Sequence, residues 1–296
     1  MIQRRTVLIL GAGASKPYGL PLGYELRDDV LTLSANSAYE KLYRQFGIAD
    51  TEFLDFHHDL SESGSPSVDA FLEERPKWTD VGRSAIALCL LSFEYRAKHK
   101  LFPPHQPRDH WYEILWSRLK APSWVAFKKQ PVHIVTFNYD RSLEHYLCHV
   151  LCNNYSIRPE TARERLSILH VHGSLGNYDG SFGDPVNDDM YKAAAGSIRV
   201  VHEANIEHSD FVQTRRLISS AELVLFIGFG YHKANMGKLG FGPKLRDRFS
   251  DPRILGTHKG IKAVVWHRLC RNYRFSPEAQ TQGGGPISEF VAEWLE

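Results

Sequence analysis

Thr136-Phe137-Asn138-Tyr139-Asp140 and, further along, His170-Val171-His172-Gly173-Ser174 put an amide, a carboxylate and two imidazoles just past short apolar runs. Those runs, Val132–Val135 and Ile168–Val171, are β-branched and apolar and read as buried strands of a parallel sheet. Ligands of open α/β sheets bind beyond the carboxyl ends of the strands, so Asn138, Asp140 and a histidine would meet in one crevice. A third run, Val7–Leu10, passes into Gly11-Ala12-Gly13-Ala14-Ser15. Glycines there permit a tight turn and let a phosphate approach the backbone at a helix N-terminus. Together these groups point to a nucleotide-binding enzyme.

The elements that would position these groups follow from periodicity and breakers. A strand is predicted over Thr6–Leu10, then a helix from Leu22 to Leu33. Residues 36–130 show no buried strand, only apolar positions at helical spacing, clearest over Ser84–Lys98 and His110–Leu119. We read 36–130 as a helical insertion within a single domain spanning 1–296. The sheet resumes with Val132–Thr136, a helix over Arg141–Leu151 and a strand over Ser167–Val171. The polar stretch Gly176–Asp189 reads as a mobile lid. A helix near Phe211–Ser220 leads to the strand Leu223–Ile227 and the turn Gly228-Phe229-Gly230. Residues 231–260 read as basic and irregular, Ile261–Trp266 as a last strand and Ile287–Leu295 as a terminal helix. The alternation gives a doubly wound, mostly parallel α/β sheet, Rossmann-like, with a helical insertion.

Each motif has a plain structural reading beside the chemical one. The glycine turn alone serves equally as a strand-to-helix connection, and Lys16 stands where a dinucleotide fingerprint has its third glycine. Ser15 and Lys16 can both donate to phosphate oxygens. Asp140 directly precedes a helix and can cap it; one cap per helix leaves Asn138 for other work. Of His170 and His172, only one is expected to serve a given site. His172, touching the glycine, is better placed beyond the strand end. Gly228-Phe229-Gly230 repeats the strand-then-glycine device and has room for a ribose.

Composition narrows the class. The 296 residues are 43% hydrophobic and 24% charged, with a net charge of +2, which leaves no electrostatic footprint for nucleic acid. No apolar stretch is long enough for a bilayer, and a strand begins too early for a signal peptide. The 4 cysteines form neither a disulfide framework nor a zinc ribbon, so a reducing cytoplasm and a metal-free site are expected.

In order, Gly11–Ser15 with Gly19-Leu20-Pro21, then Thr136–Asp140, His172-Gly173-Ser174 and Phe226-Ile227-Gly228-Phe229-Gly230 resemble the sirtuin-like (SIR2-like) NAD-binding domain. The nearest branch is that of bacterial antiphage-defence effectors. Ser67–Glu73 also resembles a helical-insert motif of that branch, and the resemblance covers nearly the whole chain. Two departures disfavour lysine deacylation: the four-cysteine zinc module is missing, and Phe137 replaces the family's glutamine. The resemblance implies cleavage of NAD⁺ at the nicotinamide–ribose bond, with NAD as substrate. It places the catalytic pair on Asn138 and His172 and the carboxamide-binding acid on Asp140. The remaining dinucleotide contacts fall on Gly11, Ala12, Gly13, Ser15, Pro21, Gly173, Ser174, Gly228 and Gly230. Loss of nicotinamide leaves an oxocarbenium-like ribose; Asn138 would hold ribose or water, and His172 would act as base. A toxic NAD⁺-consuming enzyme needs restraint, so a homo-oligomer or a regulatory protein is expected. A non-hydrolytic NAD or ADP-ribose sensor and an ADP-ribosyltransferase are the alternatives.

Overall fold

Every residue of Thr6–Leu10 and Leu223–Ile227 is buried, so these strands need cover on both faces, as in a parallel sheet flanked by helices. The computed structural model, which describes residues 2–33, 46–103, 109–166, 168–200, 209–242 and 252–295, supplies that cover. Five parallel strands, β1 (Thr6–Leu10), β2 (Val132–Thr136), β3 (Ile168–His170), β4 (Leu223–Ile227) and β5 (Arg253–Gly256), lie in the order β3-β2-β1-β4-β5. The fold is thus a doubly wound, Rossmann-like α/β fold with helices inserted between β1 and β2. Strand order reverses between β1 and β4, the crevice position of such sheets. Leu10 is in register with Thr136 on one side and Ile227 on the other. The three strands end level, and the turns after them leave the sheet side by side.

The inserted helices are α1 (Gly23–Thr32), α2 (Asp50–Glu62), α3 (Val68–Glu74), α4 (Thr79–Leu101), α5 (Trp111–Leu119) and α6 (Trp124–Phe127). After β2 come α7 (Ser142–Tyr155) and α8 (Pro159–Arg165), and after β3 come α9 (Asp188–Ser197) and α10 (Ser209–Ser220). The chain ends with α11 (Lys233–Lys238), α12 (Ala263–Tyr273) and α13 (Ile287–Trp294). Residues 34–45 and 104–108 of the insertion, residues 243–251 of the basic segment and Ser167, the expected start of a strand, lie outside the described residues. No described helix is long and apolar enough to cross a membrane.

Two apolar cores form. One surrounds the sheet; the other fills a helical lobe made by α1 to α4. The lobe is not coextensive with 36–130. It takes in Leu26 and Val30 of α1 and Ala194 and Ala195 of α9, whereas Trp111, Tyr112 and Leu115 of α5 belong to the sheet core.

Three expectations need correction. The last strand is Arg253–Gly256, and the run expected to be a strand, Ile261–Trp266, enters helix α12. Trp266, Cys270 and Tyr273 recur at i, i+4 and i+7, with Trp266 and Cys270 buried; short apolar runs cannot be typed by hydrophobicity alone. The stretch 231–260 holds α11 and β5 instead of being wholly irregular. The Gly176–Asp189 segment is pinned as well: Phe182 is fully buried and stacks on His145 at 4.8 Å, and Lys98 pairs with Asp184.

The ends of β1 and β4 meet backbone to backbone. Gly11 N–H donates to the Ile227 carbonyl at 3.0 Å and Gly13 N–H to the Gly228 carbonyl at 2.9 Å. A Cβ on Gly228, whose φ is +59°, would lie 2.0 Å from the Ala14 nitrogen and 2.3 Å from the Gly13 carbonyl carbon. Gly228→Ala should therefore cost about 2–5 kcal/mol, combining left-handed strain with overpacking. Gly237→Ala, on a helix with nothing within 4 Å, should be neutral or stabilising by up to about 1 kcal/mol. Urea denaturation measures both, and a Gly228→Ala chain as stable as the parent would contradict the packing described here.

Candidate functional site

The turn after β1 is already bonded within the protein. Besides Gly11 and Gly13, the Ala14 and Ser15 N–H groups donate to the Gly11 and Ala12 carbonyls. Two short 3-10 turns, Ala12–Ala14 and Lys16–Tyr18, follow, and α1 starts only at Gly23. The expected helix N-terminus at the glycine turn is thus displaced along the chain. Absence of side chains at 11, 13 and 228 is required by the contact between the two turns, whatever else binds there. Lys16 forms an ion pair with Glu25. From α5, the Trp111 indole N–H donates to the Ala14 carbonyl at 2.7 Å and closes over the turn.

Asn138 is fixed from several directions. Its N–H donates to the Thr136 hydroxyl at 3.0 Å, and its carbonyl accepts from His170 Nδ1 at 2.8 Å. Its Nδ2 donates to the Gly11 carbonyl at 3.0 Å and the Ser15 hydroxyl at 3.1 Å. This sets the amide orientation, because the reverse would place Oδ1 against a carbonyl oxygen. Oδ1 itself accepts no hydrogen bond from the described residues. Ser15, Asn138 and Asp140 border one cavity of about 10 Å³ together with Thr136, Tyr112 and Glu144, room for a single water.

Asp140 lies one residue before the N-cap, Arg141, instead of at the cap itself, and still serves the helix start. Its carboxylate accepts from the Ser142 N–H at 3.1 Å and from the Ser142 hydroxyl, closing the start of α7. Burial lifts its pKa above the ordinary value, against the Ser142 and Ser15 hydroxyls that favour the anion.

Two residues apart, the two histidines would share a face of a continued strand. β3 ends at His170 and the chain turns at Val171–His172, so the two rings enter different surroundings. His172 is 4% exposed and packs edge-on to Phe137 at 5.2 Å and Phe211 at 5.6 Å. Neither of its ring nitrogens has a hydrogen-bond partner among the described residues. Burial first, then the charges of Lys238 and Arg199, push its pKa from 6.5 down to about 3, so the ring is neutral at pH 7. It borders neither the Asn138 cavity nor the larger cleft described below, and no hydrogen bond joins it to Asn138. His170 instead bridges the Asn138 carbonyl and Glu144 of α7. Burial works to lower its pKa, but the Glu144 carboxylate and the Asn138 carbonyl outweigh it and the net shift is upward.

The other candidate residues are scattered. Ser174 borders a cleft of about 230 Å³ with His170, Glu144, Arg141 and Tyr178. Gly173, at φ +73°, is needed where a Cβ would sit 2.0 Å from the Ser197 carbonyl oxygen. Gly230 is exposed and turned toward His232, Pro21 is buried in the approach to α1, and Ala12 is half-buried.

Three residues escaped the sequence reading. Glu144 holds His170, and Glu94 forms a buried ion pair with Arg141 at 2.7 Å. Tyr112 bonds Ser142 at 2.8 Å. The signal available was a carboxylate on an apolar stripe. Glu144 shares a helix face with Cys148 and Leu151, and Glu94 with Leu91, Ala97 and Leu101.

No protein-family model matches this chain, and no curated protein matches it.

His172 makes a pH prediction. An unfolded imidazole titrates at 6.5 and the folded one at about 3. Between these values only the unfolded chain takes up the proton, so stability falls as pH drops through the window. His57 and His145, lowered chiefly by burial to about 4, act in the same sense. His170 acts oppositely: its stabilisation is complete below 6.5 and is lost as pH rises through its higher folded value. Denaturation midpoints should drop between pH 6.5 and about 4, less steeply for His172→Phe. Equal slopes for the two chains would show that His172 is not buried as a neutral ring.

Proposed function

We propose that the chain hydrolyses NAD⁺ at the nicotinamide–ribose bond, giving nicotinamide and ADP-ribose. The observation that carries this reading is the anchoring of the Asn138 amide on the Gly11 carbonyl and the Ser15 hydroxyl, beside Asp140. It joins two separate motifs of the SIR2-like order at the level ends of β1 and β2. In the reaction the C1′–N bond breaks with its electron pair passing to the pyridinium nitrogen. Water forms the new C1′–O bond and gives up a proton.

Each residue has a part in that scheme. Asn138 offers Oδ1 to a ribose hydroxyl or the attacking water. Asp140 faces the carboxamide. His172 is the base, and a ribose hydroxyl would give one of its two unpartnered ring nitrogens a hydrogen bond. Gly11, Ala12, Gly13 and Ser15 border the pyrophosphate, Gly228 and Gly230 the adenosine ribose, and Pro21, Gly173 and Ser174 flank the dinucleotide. The cavity of about 10 Å³ is smaller than nicotinamide, so substrate entry must widen it. Within this reading the chain is a cytoplasmic, NAD-depleting effector of bacterial antiphage defence. It works as a homo-oligomer or under a regulatory protein.

One observation favours a second reading, NAD or ADP-ribose sensing without turnover. An imidazole at about pKa 3 is a poor base at neutral pH until the site rearranges around it.

Incubation with NAD⁺ and product identification by mass spectrometry decides between them. Hydrolysis releases ADP-ribose, sensing leaves NAD⁺ intact, and transfer adds ADP-ribose mass to an acceptor. Asn138→Ala and His172→Ala should each lower the rate about 10²–10⁴-fold with the fold retained. Wild-type rates in both variants would refute the assignment.

A further inference from the structure

His170 is the imidazole that the reaction scheme leaves unused, yet it is the one bonded to Asn138. Its Nδ1 donates to the Asn138 carbonyl at 2.8 Å, and its Nε2 meets Glu144 Oε1. The His170 and Glu144 side chains are only 14% and 11% exposed. They stand in the wall of the cleft of about 230 Å³, and Glu144 also borders the Asn138 cavity. The pair therefore forms part of the partition between a solvent-reaching cleft and the cavity that Asn138 borders.

We propose that His170, braced by Glu144, is a positioning residue for Asn138, holding its backbone carbonyl so that its side-chain amide stays on Gly11 and Ser15. The inference rests on the reading of Asn138 as a substrate-facing residue. A carbonyl and a carboxylate can only accept, so serving both requires a proton on each ring nitrogen. When His170 loses one proton, the carboxylate retains the charge-assisted N–H and the Asn138 carbonyl is left without its donor. Other groups around the ring temper this balance. Asp140 and Arg141 lie at the start of α7, Arg163 is on α8, and Tyr178 lies beyond β3. The Arg199 guanidinium, which donates to the His170 carbonyl at 2.9 Å, completes the set.

The test compares wild type, His170→Phe, His170→Gln and Glu144→Gln. The readouts are NAD⁺ turnover against pH and NMR exchange of the Asn138 side-chain amide hydrogens. His170→Phe should lower kcat about 10- to 100-fold with little change in KM, as a slightly misplaced group does. Glutamine at 170 restores a donor and should recover most of that loss. Wild-type turnover should fall on the alkaline side at a value above 6.5; Glu144→Gln should bring that fall to lower pH, and His170→Gln should abolish it. Asn138 amide exchange should quicken in His170→Phe and not in His170→Gln. Equal exchange in all chains, or an unmoved alkaline limb in Glu144→Gln, would overturn the proposal. A wild type without NAD⁺ turnover would defeat only the hydrolase reading, and amide exchange would still decide the part of His170. Should His170→Phe fail to fold, Glu144→Gln decides: no quickening of exchange above pH 6.5 overturns the proposal.

Discussion

Two backbone turns touch with no side chain between them, and the site is arranged around that contact. Gly13 bonds the Gly228 carbonyl, and Gly228 is anchored in turn through its N–H on the Thr257 hydroxyl at 2.7 Å. Because the turn after β1 is drawn onto β4, its Gly11 carbonyl stands where Asn138, leaving β2, can reach it. Any side chain at 11, 13 or 228 would push these elements apart. Loss of the contact would free the Asn138 amide along with the turn.

The loop from Phe137 to Ser142 is tied to every neighbour. Phe137 N–H bonds the Leu10 carbonyl, and Leu175 N–H bonds the Tyr139 carbonyl. The Tyr139 hydroxyl donates to Asp69 of α3, and the Arg141–Glu94 pair reaches α4. Two of these ties cross from the sheet to the helical lobe, so the lobe helps to set the geometry of the loop. The buried charges add little net stability compared with apolar packing, but each one left without its partner would be costly. They act chiefly by admitting one arrangement of the loop.

The contrast between His170 and His172 comes from burial with and without a counter-charge. Both lie at the end of β3 and both lose water. One gains a carboxylate and a carbonyl, and its charged form is favoured. The other gains aromatic rings and two nearby cations, and its neutral form is favoured. Such divergence between neighbouring groups is how a protein separates an acceptor from a permanent donor. Here the acceptor is the ring with unpartnered nitrogens, and the donor is the ring that holds Asn138.

The strands β1, β2 and β4, the parallel α/β class and the helical character of residues 36–130 were legible in the sequence, since continuous apolar runs and helical spacing are local properties. So were the turns after β1, β2 and β4, because glycine, asparagine and aspartate mark strand ends by their own backbone preferences. The convergence of Gly11, Ser15, Asn138 and Asp140 was expected from the strand ends and is seen in the fold, whereas His172, expected with them, borders neither cavity. What only tertiary structure decided was partnership. Whether Ile261–Trp266 is strand or helix depended on which neighbour offered pairing, and β4 took Arg253–Gly256 instead. That Glu144 meets His170, that Glu94 meets Arg141 and that the His172 ring finds no hydrogen-bond partner among the described residues arises from contacts between residues far apart in the chain. Spacing along one strand or helix reports the face a side chain is on, but not the charge that will stand opposite it.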